Sequence, residues 1–301
     1  MNDHTLYRTS YDNSMVEAFC RCERRHYFNY VRCIVPERTG LALSFGSAWH
    51  EAMDSMWRNW DVEASYQAFL SLWPQEIDET TAYPRTPGRA KEMLFEYKKR
   101  FQEISLRDYH VLGVERGFRV PLSPDAAYPF YTGRLDKILQ CIPDGKIIIC
   151  DHKTAASFER GWKDSFSPNS QMDGYAFAGV MTYGDDFYGI VIDGALTQKT
   201  KLDFLRLPII KDSMYINAWL IETQQRIDSI LTNIQRLQKG EYCFPKRTVA
   251  CSDYGGCPFL YICRQWPYPW EKPGIPFGYR QDDWDPLKDN EEKERKWDVQ
   301  I

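Results

Sequence analysis

Residues 145–154 read GKIIICDHKT, in which three isoleucines and a cysteine run directly into Asp151, His152 and Lys153. The apolar run has the composition of a buried strand. An unpaired acid and base at its tip gain nothing from burial. The tip is therefore either a solvated turn or a place where the two charges do chemistry. Asp144-Gly145 is a favoured two-residue hairpin loop, and FYTGRLDKILQCI (130–142) reads as the partner strand. With that loop, Asp136 faces Lys153 and Ile138 faces Asp151. Side chains alternate with period two, so Asp136, Asp151 and Lys153 share a face. The two carboxylates are then diagonal neighbours within reach of one metal ion, and a slip of one residue would destroy the arrangement.

Converging carboxylates suit a hard, oxygen-seeking cation such as Mg²⁺ or Mn²⁺, whose charge relieves their repulsion. A lysine beside them stabilises developing negative charge or holds a water for attack. The set suits metal-assisted hydrolysis of a phosphodiester. Alone, Asp-x-Lys is usually a surface ion pair of small consequence. The acid on the paired strand is what gives it weight.

Around this hairpin the pattern changes along the chain. Residues 14–32 read as one amphipathic helix capped by Ser14, with Val16, Phe19, Tyr27 and Tyr30 on its apolar face and Arg21, Arg24, Arg25 and Arg32 making it basic. Residues 43–60, with Trp49, Met53, Met56 and Trp60 at helical spacing and Ser44 or Ser47 as cap, and residues 88–104 read as two more helices. Strands are expected at 111–122, 130–142, 145–155, 187–196 and 201–210. Helices are expected at 170–184, capped by Asn169 or Ser170, and at 212–240, between Asp212 and Gly240. The division is a helical part (1–110), a core (111–240), a Cys/Pro/Gly-rich segment (241–270) and an extended charged tail (271–301) containing DNEEKERK.

Apolar residues make up 43% of the 301-residue chain, enough for a sizeable core. The net charge of −4 argues against a generally basic nucleic-acid coat but leaves room for a local groove. With no run of eighteen apolar residues and no apolar leader at the start, a cytoplasmic protein without a membrane span is expected. Nine cysteines in a reducing compartment read as thiols or metal ligands rather than disulfides.

GRLDKI (133–138), DHKT (151–154) and Gln171-x-x-x-Tyr175 resemble the PD-(D/E)XK nuclease superfamily, and most closely its RecB-like branch. The likeness runs from about residue 14 to 264. It implies an α/β fold, a restriction-endonuclease-like core with a mixed central sheet flanked by helices, a helical N-terminal part and a C-terminal loop pinned by an iron–sulfur cluster. By the same resemblance His50, in GSAWHEAMD, joins Asp136 and Asp151 as a metal ligand, with the backbone carbonyl of His152 as a further one. Lys153 would orient the nucleophilic water. Gln171 and Tyr175, one helical turn apart, would support Lys153 or contact the DNA strand. Glu115 matches an acidic position of second rank. Individually, His50 and Tyr175 would pass for core residues and Gln171 for a first-turn helix residue; the ordered set carries the likeness.

Cys251, Cys257 and Cys263 cluster in CSDYGGCPFLYIC, and Cys20 and Cys22 lie in FCRCERRHYF. Three close thiols with one distant resemble the iron–sulfur subgroup of RecB-like nucleases, which includes AddB-type subunits and CRISPR-adaptation nucleases. Cys22 fits the lone position better than Cys20 because an arginine and an aromatic follow at the right offsets, although Glu23 stands where that pattern has proline. Four thiolates suit a [4Fe–4S] cluster, with zinc as the other candidate. Cys33, Cys141, Cys150 and Cys243 read as scattered thiols. Arg24 and Arg25 are expected to contact DNA. No helicase motif is present. The implied activity is a metal-dependent DNA exonuclease, acting on single-stranded ends in recombination, repair, phage DNA processing or CRISPR adaptation. A helicase, recombinase or CRISPR-adaptation protein is the implied partner. An inactive nuclease-fold subunit and a zinc-stabilised interaction protein are the alternatives.

Overall fold

Trp49, Met53, Met56 and Trp57 are all buried along helix α3 (Leu41–Asn59) and form the middle of one apolar core. Helices α4 (Val62–Leu72) and α6 (Pro87–Asp108) pack against α3 and add Phe69, Met93, Leu94 and Tyr97. Sequence reading passed over α4, although Asp61 caps it by accepting from the amides of Glu63 and Ala64. Gly40, not a serine, precedes α3, and Trp60 closes it in the left-handed region at φ 53°. The computed structural model describes residues 8–37, 40–282, 285 and 287, with the backbone alone at Tyr254 and Gly255; the DNEEKERK stretch lies outside the described residues.

The chain divides into two compact units. Of the described residues, one unit takes in 8–37, Arg119–Gly133, 217–282, 285 and 287, the other 40–118 and 134–216. The remaining elements, in chain order, are β1 (Ser10–Tyr11), α1 (Asn13–Arg21), α2 (Glu23–His26), β2 (Ile34–Pro36), α5 (Glu79–Ala82), β3 (Tyr109–Pro121), β4 (Phe130–Cys141), β5 (Ile147–Ala155), α7 (Arg160–Asp164), α8 (Ser170–Tyr183), β6 (Phe187–Thr197), β7 (Leu202–Ile209), α9 (Ser213–Gln238), α10 (Leu260–Gln265) and β8 (Tyr279–Gln281). The expected strands are all present, within two residues of their predicted ends.

The second unit is built on a mixed sheet ordered β4-β5-β6-β7, with β3 also on β4. β4–β5 and β6–β7 are antiparallel and β5–β6 is parallel. The parallel pair is joined by a crossover carrying α8, capped by Asn169 and stopped at Gly184 as expected. Flanking helices on a mixed sheet are the architecture that the sequence implied.

The β4–β5 register differs from the expected one. Lys137 pairs with Cys150 and Gln140 with Ile147. The Cys141 amide bonds the Lys146 carbonyl at 2.8 Å, leaving Ile142, Pro143, Asp144 and Gly145 as the loop. Pro143 is thus accommodated inside a longer turn, and Gly145 supplies the φ of 73° that closes it. The shift is by two residues, so no side chain changes face. It brings Asp136 level with Asp151, where Lys153 had been expected.

In the first unit the long basic helix is broken. α1 is capped by Asp12, whose carboxylate accepts from the Met15 amide, not by Ser14. At Cys22 the backbone is extended (φ −162°, ψ 112°), α2 restarts at Glu23, and a π-helical turn follows over Tyr27–Val31. Tyr27, Phe28, Phe244 and Phe259 form this unit's core, with Tyr27–Phe244 and Phe28–Phe259 ring centroids 5.4 and 5.3 Å apart. The start of the expected tail is ordered here: β8 pairs antiparallel with β2. β1 pairs in parallel with Phe130 and Tyr131.

Candidate metal centre and thiol cavity

Within the second unit, alternation along β4 and β5 puts Asp136, Asp151 and Lys153 on one face, and α3 brings His50 to the same point. His50 Nδ1 lies 3.1 Å from Asp136 Oδ2. Ligand atoms of His50, Asp136 and Glu115 all fall within 4.8 Å of one another. Two carboxylates and an imidazole converging in this way are the donor set of a divalent-cation site. Lys153 Nζ sits 2.7 Å from Asp151 Oδ2, and Asp151 is fully buried.

Glu115, of second rank in the sequence, is therefore the third member of the closest donor group. It reaches there from a backbone φ of 51°, in the left-handed region that a side-chain-bearing residue rarely adopts. Arg134, which sequence reasoning missed, lies 3.7 Å from its carboxylate. The signal was available: Arg134 precedes Asp136 by two residues and so shares its face.

The His152 amide donates to Asp136 Oδ2 at 2.7 Å. In an extended strand the carbonyl of a residue points to the same side as its amide, so the His152 carbonyl faces the same edge. Gln171 and Tyr175 bond to each other and to β4. The Gln171 amide donates to the Tyr175 hydroxyl at 3.0 Å, and that hydroxyl donates to the Arg134 carbonyl at 2.9 Å. The pair thus steadies β4 two residues from Asp136.

Burial opposes a charge on His50, Asp136, Asp151 and Lys153, and their mutual attraction works against it. Burial would depress His50, but the Asp136 carboxylate more than reverses this and holds it at about 9. Burial would raise Asp136, yet His50, with His152 and Lys153, holds it below the usual carboxylate range. Burial and the neighbouring Asp136 push Asp151 up. Burial would lower Lys153, but Asp151 and Asp136 keep it protonated.

A profile of the PD-(D/E)XK nuclease superfamily matches residues 13–264. The chain belongs to this superfamily. Its divalent-metal chemistry and nucleic-acid substrate accord with the donor set just described. Among solved structures, a Eubacterium rectale protein described as a "Putative exonuclease" shares 15% identity at a TM-score of 0.53, over 88% of this chain and 92% of that one. The structure of SSO0001 shares 11% identity at a TM-score of 0.32, over 84% of this chain and 95% of that one. No curated protein matches.

In the first unit of this nuclease-superfamily chain, Cys22, Cys251, Cys257 and Cys263 line one cavity, together with Arg24, Arg25, Lys246 and Arg247. The Arg247 amide points at Cys22 Sγ, 3.3 Å away. Cys20 is not among the lining residues; its carbonyl accepts from the Arg247 guanidinium. Burial raises the Cys257 and Cys263 thiols, against which Arg25 acts on the first and Arg24 and Lys246 on the second.

Arg24 does not present itself to DNA. It is 2% exposed, and its guanidinium donates to the Phe244 and Pro267 carbonyls at 2.9 and 3.2 Å and to the Tyr242 hydroxyl at 3.0 Å. The break at Cys22 turns it inward, where a continuous helix would have left it on the basic face. Arg25 is partly exposed at the cavity. Among the described residues no helix is long and apolar enough to cross a membrane.

Proposed function

We propose that this nuclease is a RecB-like, Mg²⁺- or Mn²⁺-dependent DNA exonuclease acting on single-stranded ends. The observation that carries the reading is the convergence of His50, Glu115 and Asp136 beside the Asp151–Lys153 pair. In this reading His50, Glu115, Asp136, Asp151 and the His152 carbonyl hold the cation. Bound there, the cation supplies Lewis acidity and a more acidic water. Lys153, charged and anchored on Asp151, orients the attacking water and neutralises charge developing on the phosphoryl oxygens. Gln171 and Tyr175 fix β4, and hence Asp136, relative to that lysine. Arg25 is partly exposed and suits a backbone phosphate of the DNA.

The thiol cavity supports a [4Fe–4S] cluster on Cys22, Cys251, Cys257 and Cys263. Among the described residues four thiols and no carboxylate line it, and four cations offset the charge that deprotonated thiols would carry. Its role would be structural, tying the loop around 251–263 to the start of α2, because a loop of this composition buries little.

A single-stranded oligonucleotide labelled at either end, incubated with Mn²⁺ or Mg²⁺, tests the reading. Stepwise shortening by the wild-type protein, abolished by EDTA and by Lys153→Ala, is the expected result. Label position gives polarity. Cleavage surviving in Lys153→Ala, or its absence from an iron-loaded, folded wild-type protein, refutes the assignment.

A further inference from the structure

Behind the metal-binding face lies a second set of charges that the mechanism does not use. Lys137 and His152 each follow a site carboxylate by one residue, so alternation sends both to the opposite face of the sheet. Lys137 is completely buried, and its Nζ lies 2.6 Å from His152 Nε2 and 4.0 Å from the centre of the Trp57 ring. Asp193 on the neighbouring strand β6 completes the group, 3.7 Å from Lys137 Nζ and 3.7 Å from His152 Nδ1. The Tyr97 hydroxyl donates to Asp193, and Trp57 donates to Tyr97 at 3.0 Å. Arg206 closes the set with donations to Tyr97 and Ser105 at 3.3 and 3.1 Å.

With Lys137 Nζ donating, His152 Nε2 accepts and the ring proton sits on Nδ1, toward Asp193. His152 is therefore gripped from the rear by Lys137 through its side chain. Its main-chain amide, on the other side of the same residue, holds Asp136 Oδ2 at 2.7 Å. Burying charges in this way is costly, and well-packed apolar residues commonly stabilise a fold at least as well. What a polar group supplies that an apolar one does not is a fixed position.

We propose that Lys137 is a positioning residue for the metal centre: by holding the His152 imidazole it fixes the His152 amide, and through it the Asp136 carboxylate. The inference rests on the metal-site reading above and adds the element that sets its geometry. Partners that orient metal ligands typically contribute roughly 10–100-fold in metal affinity or activity.

The test compares Lys137→Met with Lys137→Gln, reading Mn²⁺ affinity by electron paramagnetic resonance titration and folding by thermal melting. Removing Lys137 leaves Arg206 and Asp193 balanced in the interior, so both variants should fold. Lys137→Met, with no donor for His152, should bind Mn²⁺ about tenfold more weakly or worse. Lys137→Gln, which keeps a donor, should recover most of that loss. A folded Lys137→Met with wild-type affinity overturns the proposal, as does a folded Lys137→Gln that loses as much as Lys137→Met. If Lys137→Met does not fold, Lys137→Gln decides alone: near-wild-type affinity supports the clamp, and a tenfold loss refutes it. Failure of both to fold makes the lysine a core residue and ends the argument. A wild-type protein that binds Mn²⁺ but cleaves no DNA removes the nuclease reading and leaves this comparison intact. One that binds no Mn²⁺ removes both.

Discussion

Glu115 brings a carboxylate oxygen to within 4.8 Å of the Asp136 ligand atom from a backbone held at φ 51°. Such a conformation costs a side-chain-bearing residue about 1–3 kcal/mol. Glycine adopts it freely, at some cost in unfolded-state entropy. Glu115→Gly should therefore raise the melting temperature while lowering metal-dependent cleavage roughly 100-fold. Glu115→Gln should lose the activity without the gain in stability. A Glu115→Gly protein that melts earlier would mean that the carboxylate's contacts with Arg134 and His50 outweigh the strain.

Much of this site was legible because alternation along strands is a strong constraint. Asp136, Asp151 and Lys153 stay on one face even though the hairpin register is two residues away from the expected one. The loop length itself was not legible, because Asp-Gly serves a two-residue turn or the end of a four-residue one, and Pro143 decides between them only in three dimensions. Glu115 was ranked low because its approach depends on a left-handed backbone in mid-strand, which no local pattern announces. Arg24 was misassigned because a run of arginines on a helix reads as a solvated or DNA-facing stripe. The extended backbone at Cys22, invisible to periodicity, turns Arg24 into the interior and leaves Arg25 partly exposed. Lys137 and His152 stand next to the site residues in sequence, yet their pairing is a cross-strand event that only the folded sheet discloses.

The thiol cavity separates Cys22 from its near neighbour Cys20. Protein purified without oxygen should carry iron, and Cys22→Ser should lose most of it while Cys20→Ser retains it, as measured by metal analysis. The proposed cluster would tie the 251–263 loop to α2, so Cys22→Ser should also expose that loop to limited proteolysis. One zinc per chain in place of iron would turn the site into a zinc centre on the same four ligands.

Adjacent arginines should behave oppositely. Arg24→Ala leaves the Phe244 and Pro267 carbonyls without their donor in a buried setting, and should cost about 3 kcal/mol or more of stability. Arg25→Ala, at a partly exposed position, should cost much less stability than Arg24→Ala. It should instead weaken single-strand binding and lower the salt dependence of that binding by about one unit of slope, as removal of one phosphate contact does. Equal stability losses for the two would place Arg25 in the core as well.

His26 makes the first unit sensitive to acid. Its ring is 2% exposed and stacked on Phe244, and Nδ1 donates to the Met15 carbonyl at 2.9 Å. Burial pushes its pKa down to about 4, against the opposing effect of the Met15 bond, and nearby Arg8 adds to the depression. The unfolded chain, with a histidine near 6.5, then takes up this proton at a pH where the folded protein does not. More protons on the unfolded state mean that stability rises with pH across that window. His26 thus contributes fully above pH 6.5, and its contribution falls by about 1.4 kcal/mol per pH unit as pH drops toward 4, below which the loss is complete. His26→Phe removes the titration but keeps an aromatic ring in the stack. Denaturant midpoints for the two proteins should converge between pH 7 and 4.5, because the wild type loses stability faster. Parallel curves over that range would mean that His26 is already charged, or solvated, in the folded protein.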